Sequence, residues 1–484
     1  MGHHHIVRVA VIGAGPGGLC AGIRLRQSGI DDFLILEKAD GVGGTWWHNR
    51  YPGAECDVQS HLYSFSFEPK LDWSRPYAGQ KEILAYLEHC ADKYDLEGFI
   101  RFGDAVRTVR WDEASVSWTL ATESGKTVRA RVVVGAQGMF NEPAYPDIPD
   151  LERFPGVVFH SARWDHGHRL EGSRVAVIGS AASAVQFIPE IAPEVAELTV
   201  YQRTANWVLP KADTPFSDAE LDHFRRHPQA VAELRRQIQS DLDGFITFSD
   251  PNALRAAEEA GLRNLSVVED PETRRKLVPR HPFGCKRPLL SNLYYPVFNE
   301  PHVTLVTTPI AEIRPGGVVT EDGVERGADT LILATGFRTG RYLSAIDVTG
   351  RGGVRLADAW RDGARAYLGM TTSGFPNLFM LYGPNTNNGS ILYMLERQVD
   401  YVLRALRRLD EERLAWMDVR PQVMDRYNDQ LQHDIDQVAV WQAGCNGYYR
   451  APSGRVVTQW PHTMAEFTRR ADRDDAGAFE VEAL

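Results

Sequence analysis

The chain has 484 residues, of which 43% are hydrophobic and 24% charged, and its formal net charge is −11 at pH 7. This length is too great for one hydrophobic core and predicts two or more domains. The negative charge argues against nucleic acid as the main partner, because phosphate binding requires clustered lysine and arginine. No apolar run is long enough to span a bilayer, and the chain start lacks the layout of a signal peptide. We therefore expect a globular protein without a nucleic-acid or membrane partner.

In chain order, the first element is one copy of an internal repeat: residues 8–13 and residues 174–179 both read Arg-Val-Ala-Val-Ile-Gly. Each copy predicts a strand that enters a glycine turn and a helix, followed by a second apolar strand at residues 33–36 or 198–201. Two βαβ units of this kind predict two parallel sheets with right-handed crossovers. The fold class is therefore predicted as α/β, with two Rossmann-like dinucleotide-binding domains and a helical insertion.

The first fingerprint, residues 13–18, reads Gly-Ala-Gly-Pro-Gly-Gly and follows the first predicted strand. Gly13 would make the tight turn, Gly15 would let the backbone approach a pyrophosphate, and Gly18 would let helix and strand pack closely. Glu37 lies 24 positions after Gly13, where a carboxylate can accept hydrogen bonds from ribose hydroxyls. The alternative is a glycine turn in an unrelated α/β domain, but strand, spacing and acid together favour a nucleotide. We predict FAD here.

A glycine pair and a tryptophan follow the first βαβ unit, in Gly43-Gly44-Thr45-Trp46, and Asp57 comes shortly afterwards. The small residues and the large indole are suited to support a flat isoalloxazine ring. Taken alone, a tryptophan in a turn more often serves simple packing, and such an aspartate is more often a helix cap or a surface acid. Both interpretations stay open on the residues themselves.

The second fingerprint, residues 179–184, reads Gly-Ser-Ala-Ala-Ser-Ala and keeps only the first glycine. Ala181 places a methyl group where a pyrophosphate would approach. Arg203 stands at the position that Glu37 holds in the first copy, and an arginine there suits a 2′-phosphate. We therefore predict NADPH at the second site. The candidate contacts are Gly179, Ser180, Ser183, Arg203 and Thr204.

Residues 213–280 are dense in charged residues and leucine at helical spacing and contain no strand-like run. They are interpreted as a helical insertion that covers a substrate pocket or, equally well on the pattern, as a solvated elaboration. Strand patterns return at residues 303–306 and 330–333. We expect an FAD-binding domain of residues 1–150 and 325–484, an NADP-binding domain of residues 151–212 and 281–324, and the insertion between its two parts.

Five scattered cysteines, odd in number and never spaced as CxxC, argue against a disulfide framework and favour a reducing cytoplasm. They are Cys20, Cys56, Cys90, Cys285 and Cys445. Three histidines at residues 3–5 make a poor structural metal site, so we assign them no function and predict no metal. The segment after Thr468 is rich in arginine, aspartate and alanine and is expected to fray.

Two motifs give the chain a family resemblance. The pattern F-x-G-x-x-x-H-x-x-x-W-[PD] is met by Phe154, Gly156, His160, Trp164 and Asp165. The pattern G-x-W-x-x-x-x-Y-P-G-x-x-x-D is met by Gly44, Trp46, Tyr51, Pro52, Gly53 and Asp57. Together they resemble the type I Baeyer–Villiger monooxygenases of the flavin-containing monooxygenase superfamily. Heteroatom-oxidising relatives usually end the first motif without the Trp-Asp pair.

The resemblance implies an enzyme that uses FAD, NADPH and dioxygen to convert a ketone to an ester or lactone through a C4a-peroxyflavin. It makes Arg287 the active-site arginine and Lys286 a contact of the NADP phosphate, a pair that would otherwise be an ordinary surface feature. It makes Asp57 the partner of that arginine beside the flavin, and Tyr63 a flavin contact. His160 and Trp164 belong to the linker between the domains and are not expected to act as catalytic bases.

Three other functions are weighed against this one. A heteroatom oxygenase acting on sulfur or nitrogen is the nearest alternative, which the Trp164-Asp165 ending disfavours. A catalytically silent flavoprotein is disfavoured by the presence of Arg287 and Asp57. A disulfide reductase requires two neighbouring redox cysteines, and Cys56 has no such neighbour in sequence.

Overall fold

The computed structural model describes residues 6–445 and 447–484, so the histidines at positions 3–5 lie outside the described residues. The strands, in chain order, are β1 (Ile6–Ile12), β2 (Phe33–Leu36), β3 (Ile100–Arg101), β4 (Val106–Asp112), β5 (Ser117–Thr122), β6 (Thr127–Gly135), β7 (Val157–His160), β8 (Arg174–Ile178), β9 (Glu197–Tyr201), β10 (Val208–Leu209), β11 (Leu289–Leu290), β12 (Val303–Val306), β13 (Ile310–Arg314), β14 (Gly317–Thr320), β15 (Glu325–Gly327), β16 (Thr330–Leu333), β17 (Asp347–Thr349), β18 (Leu378–Met380), β19 (Leu414–Val419) and β20 (Phe479–Ala483). The α-helices are α1 (Pro16–Gln27), α2 (Thr45–His48), α3 (Gln80–Lys93), α4 (Ala182–Ile191), α5 (Asp218–Arg226), α6 (Pro228–Phe245), α7 (Pro251–Leu265), α8 (Pro271–Leu277), α9 (Leu356–Ala359), α10 (Ile391–Glu411), α11 (Pro421–Asp436) and α12 (Met464–Ala471).

The first sheet has the strand order β17-β4-β5-β6-β1-β2-β3, and β18 also pairs with β6. Its centre is parallel, since β1 pairs in parallel with both β2 and β6. The apolar run at the end of β1 is buried on both faces, as expected for a central strand of a parallel sheet. The α/β fold and the first βαβ unit predicted from the sequence are confirmed.

The second sheet is entirely parallel, with the order β12-β9-β8-β16-β7. Strand β16 is an inner strand of this sheet, between β8 and β7. The expected return to the first domain at residue 325 is therefore wrong, because the chain re-enters the first sheet only at β17. The apolar sequence of β16 suits the centre of either sheet, so only the observed pairing assigns it to one of them.

Four helices, α5 to α8, occupy residues 218–277, within the segment predicted as a helical insertion. Their sequences contain clear start signals. Ser217 forms a capping box with Glu220 at the start of α5, and Asp250 and Asp270 cap α7 and α8. Helices α6 to α8 each begin with proline, whose fixed φ and missing N–H suit the first turn.

The expectation that the chain frays after Thr468 is wrong. Helix α12 continues to Ala471, and β20 pairs antiparallel with β19. The indole Nε1 of Trp416 also donates a hydrogen bond to the Glu482 carboxylate, at 2.7 Å. The partner of β20 lies about sixty residues earlier in the chain, so local composition carries no sign of it.

None of the helices described for this chain has the length and apolar character needed to cross a membrane.

Candidate active site

A cavity of ≈ 470 Å³ opens beneath the first fingerprint, where β1 ends and α1 begins. Its walls come from the first fingerprint, from the end of β2, from the turn before α2 and from the start of α10. Among the predicted site residues, its lining includes Gly13, Gly15, Glu37, Gly44, Thr45 and Tyr63. The structure thus brings most of the predicted FAD contacts to one cavity.

The glycines of this cavity are required by geometry. Gly13 has φ +104°, and a Cβ atom there would lie 2.8 Å from the carbonyl oxygen of Ala136. Gly15 has an ordinary φ of −73°, but the Gly44 backbone lies directly against it: a Cβ on Gly44 would be 2.8 Å from the Gly15 Cα. Glycine is therefore needed at both Gly15 and Gly44, because two loops cross there without side chains between them.

Glu37 is buried at the carboxyl end of β2. Its carboxylate accepts hydrogen bonds from the backbone N–H of Ala14 at 2.6 Å and of Ala39 at 2.8 Å. These bonds fix the carboxylate at the rim of the cavity, where it can also accept from a ribose.

Trp46 and Tyr63 form one buried unit behind the turn at Gly44. The indole Nε1 donates to the Tyr63 hydroxyl at 3.1 Å, and the rings meet edge to face at 5.8 Å. Burial raises the pKa of the Tyr63 phenol well above its usual value, so the phenol stays neutral. Tyr63 lines the cavity, whereas Trp46 supports it from behind.

Arg287 and Asp57 form a bidentate ion pair. Arg287 Nε donates to Asp57 Oδ2 at 2.9 Å, and Nη2 lies 2.6 Å from both carboxylate oxygens. The neighbouring Asp57 carboxylate raises the pKa of Arg287 further above its usual value. The side chains keep 35% and 28% of their surface exposed, so a ligand can reach them. Residues 230 positions apart thus meet as predicted.

The Tyr51-Pro52-Gly53 motif is a contact between the two nucleotide-binding units. Tyr51 donates to the side chain of Gln186 on α4 at 2.8 Å, and Gln186 donates to the carbonyl of Glu55 at 3.0 Å. Gly53 has φ +72°, and a Cβ atom there would lie 2.6 Å from the Gln186 carbonyl oxygen. This close contact brings the Asp57 segment against the second unit, which carries Arg287.

Arg203 follows the carboxyl end of β9, and its charge acts on Lys286. Burial first, and then the positive charge of Arg203, lower the pKa of Lys286. Two like charges held near each other form a site for an anion. Asn206, which the sequence analysis did not identify, donates to the Ser180 carbonyl at 2.9 Å and ties the second fingerprint to the loop of Arg203 and Thr204.

Ala181 precedes α4 with an extended backbone, φ −95°, so it takes the conformation of Gly15 without strain. Position 179 still requires glycine, since its φ is +114° and a Cβ atom there would collide with the Ala334 carbonyl. Ser183 lies in the first turn of α4, beside Gln186. The second fingerprint thus retains the turn while accepting alanine at the next glycine position.

His160 and Trp164 serve packing. His160 Nδ1 accepts from the backbone N–H of Ala162 at 3.1 Å, and burial lowers the pKa of its ring to about 4. The Trp164 ring packs against Phe159 at 5.1 Å and against Phe187 of α4 at 5.2 Å. Neither residue lines the cavity that contains Gly13 and Tyr63.

The expectation that the cysteines form no disulfide is wrong for one pair. Cys285 and Cys445 form a disulfide across 160 residues, while Cys20, Cys56 and Cys90 are free and buried. Cysteine spacing gave no sign of this bridge because its two halves are 160 residues apart in the chain. The cystine joins the Lys286-Arg287 segment to the loop before Tyr448.

Tyr382 and Tyr448 are further aromatic residues near this site that sequence reasoning missed. Tyr382 lines the cavity, and the ring of Tyr448 packs edge to face at 5.6 Å against Phe140, which lines the same cavity. Neither residue belongs to a motif from which the site was predicted.

Known proteins with similar sequences and structures show the family to which the chain belongs. A model of the pyridine nucleotide-disulphide oxidoreductases matches residues 10–217. A "Baeyer-Villiger monooxygenase" of Streptomyces coelicolor is 44% identical over 99% of this chain and 93% of its own length.

Solved structures give the same result. Cyclohexanone monooxygenase from Rhodococcus sp. Phi1 bound to NADP+ superposes with a TM-score of 0.90 and 31% identity, over 99% of this chain and all of that one. A complex of OTEMO with FAD and NADP has a TM-score of 0.89 and 28% identity, over 98% and 99% of the two chains. The protein therefore belongs to the Baeyer–Villiger monooxygenases, as its motifs predicted.

Proposed function

We propose that this protein uses FAD, NADPH and dioxygen to insert one oxygen atom beside the carbonyl of a small-molecule ketone, giving an ester or lactone. The observation that carries the proposal is the bidentate Arg287–Asp57 pair, which remains partly accessible at the junction of the two nucleotide-binding units. Family membership supports the same reaction.

The residues present fit FAD. The cavity begins at the N-terminus of α1, where free backbone N–H groups and the helix dipole favour a pyrophosphate. Glu37 would hold the ribose, and the crossing of Gly15 and Gly44 leaves the backbone bare for close approach. Thr45 and Tyr63 complete the wall. When bound, reduced FAD supplies the chemistry with dioxygen, for which we propose the C4a-peroxyflavin route.

Arg287 stabilises negative charge. As oxygen adds to the ketone carbonyl, charge develops on the oxygen atoms, and a fixed guanidinium offsets it without reorganisation. Asp57 holds the plane of the guanidinium through two parallel hydrogen bonds. Because the pKa of Arg287 is raised, it does not lose its proton in the working pH range.

We also propose a division of labour between the units. Residues up to 150 and those after Leu333 bind FAD, and residues 151–212 and 281–333 bind NADP. The helical insertion borders the substrate space. The rings of Phe245 and Phe248, at the end of α6 and just after it, lie 5.6 and 6.4 Å from the ring of Phe283. Phe283 comes three residues before Lys286 in the chain. A cytoplasmic location stays a prediction.

We predict a strong preference for NADPH over NADH. Arg203, Thr204 and Lys286 would surround the 2′-phosphate, and each charge-assisted contact contributes about 1.5–3 kcal/mol. Arg203→Ala should raise the KM for NADPH at least about tenfold and leave the KM for NADH unchanged. Steady-state kinetics with both cofactors measures this.

Arg169 offers a matched control for this substitution. It is exposed in the loop before β8, on the amino-terminal side of that strand, whereas Arg203 follows the carboxyl end of β9. Arg169→Ala should leave both KM values unchanged. Equal effects of Arg203→Ala on the two cofactors would remove Arg203 from the phosphate site.

Identification of the product tests the function itself. The purified protein is incubated with FAD, NADPH and air across a panel of cyclic, steroidal, aromatic and terpenoid ketones, and the products are analysed by mass spectrometry. Esters or lactones that carry one atom from ¹⁸O₂ are expected. Oxygenation of sulfides or amines alone would instead assign a heteroatom oxygenase, and absence of NADPH consumption with every compound would assign a silent flavoprotein.

A further inference from the structure

A second ion pair crosses the same junction as the pair of Arg287 and Asp57. The Nζ atom of Lys211 lies 2.6 Å from a carboxylate oxygen of Glu55 and 3.0 Å from one of Asp213. Only 6% of the Lys211 side chain is exposed. Because an ammonium group this deeply buried requires a paired charge, the contact is part of the packed structure and not a solvated surface pair.

The two ion pairs join the same two segments of the chain. On the acidic side, Glu55 comes two residues before Asp57. On the basic side, Lys211 comes two residues after the end of β10, and Arg287 comes two residues before the start of β11. Strands β10 and β11 pair in parallel. One two-stranded ribbon therefore presents two cations to carboxylates that are two residues apart.

Backbone contacts fix both partners of the second pair. The backbone N–H of Lys211 donates to the Asn292 side chain at 2.8 Å, and the Asn292 amide donates back to the Lys211 carbonyl at 2.7 Å. Glu55 pairs antiparallel with Gly79 through an isolated β-bridge. The pair thus connects two anchored pieces of backbone, so a change in it is transmitted to Asp57, two residues along.

We propose that Lys211 is a positioning residue for the reaction, whose ion pair with Glu55 holds the acidic segment so that Asp57 keeps the guanidinium of Arg287 aligned. This inference rests on the proposed function. A second pair two residues from the first fixes the orientation of the segment as well as its distance, and catalysis depends on such alignment. Without Lys211, the carboxylates of Glu55 and Asp213 would repel each other with no ammonium group between them.

Lys211→Met tests the proposal, because it removes the charge and keeps the length of the side chain. We expect kcat for ester formation to fall about tenfold, with less ester formed per NADPH oxidised and more hydrogen peroxide released. The KM for NADPH should not change, since the proposed phosphate contacts Arg203 and Thr204 follow β9 within the second unit. Ester, peroxide and NADPH are measured on the FAD-loaded enzyme. The ratio of ester to NADPH is decisive, because it does not depend on how much of the protein is folded.

Further variants separate positioning from stability. Lys211→Arg retains the cation and should recover most of the ester yield. Glu55→Gln removes the carboxylate and should lower the ratio of ester to NADPH as Lys211→Met does. Adding Lys211→Met to Asp57→Ala should cost little more than Asp57→Ala alone, because both changes act through the alignment of Arg287. A wild-type ratio in Glu55→Gln, or full additivity of the losses in the double variant, would overturn the proposal.

Lys276→Met is the matched control. Lys276 pairs with Glu272 on the same helix, α8, at 2.9 Å, and its side chain is 34% exposed. This variant should retain the wild-type kcat and ester yield. A wild-type ratio of ester to NADPH in Lys211→Met would overturn the proposal, even if the Tm of that variant were lower. If the wild type itself forms no ester from any ketone, the proposed function fails and this inference fails with it.

Discussion

Replacing Arg287 with alanine is expected to abolish ester formation while FAD stays bound. The guanidinium is the fixed positive charge of the Asp57 pair, and loss of such a stabilising group costs about 3–4 kcal/mol, or two to three orders of magnitude in kcat. NADPH oxidation that persists should be uncoupled and release hydrogen peroxide. Ester yield and peroxide release are measured together, and bound FAD is followed by its absorbance.

Companion variants show whether the geometry of the pair matters as well as its charge. Arg287→Lys should rescue poorly, because a point charge cannot reproduce the planar fork that Asp57 holds at 2.6 and 2.9 Å. Asp57→Ala should weaken the same step, and the double variant should be little worse than Arg287→Ala. Arg280→Ala, at an exposed position shortly before, should retain activity. A wild-type ester yield in Arg287→Ala would contradict the mechanism.

The second large effect is expected at Arg235 of α6. Its Nη1 donates to the carbonyls of His61, Leu62 and Ser64 at 2.9, 3.2 and 2.8 Å. The buried Glu396 of α10 lies 3.7 Å away. Arg235→Ala would leave the Ser64 carbonyl without its donor and remove the cation beside the buried Glu396, at a cost of about 3–5 kcal/mol.

We expect the Tm of Arg235→Ala to fall by roughly 3–5 °C and FAD affinity to fall with it, since Tyr63 lies between two of the acceptors. Thermal denaturation and FAD titration of the apoprotein measure both quantities. Arg236→Ala is the control, because Arg236 is exposed and pairs with Glu233 on the same helix. Equal Tm values for the two variants would show that the insertion is not anchored through Arg235.

The local sequence pattern was sufficient to predict the two βαβ units. Gly13 and Glu37, which line one cavity, follow from their spacing, because a βαβ turn and the acid after its second strand lie within one continuous segment. The helices of the insertion followed from their periodicity and caps for the same reason. The family resemblance then pointed to Arg287 and Asp57, which neither composition nor spacing singles out.

Contacts between distant parts of the chain were decided by the tertiary structure alone. The sheet that contains β16, the pairing of β20 with β19 and the Cys285–Cys445 bridge all depend on partners far away in sequence. An apolar strand or a cysteine has the same local signature whichever partner it meets. Propensity and periodicity describe neighbours along the chain, whereas these features arise from packing between segments that only the complete fold brings together.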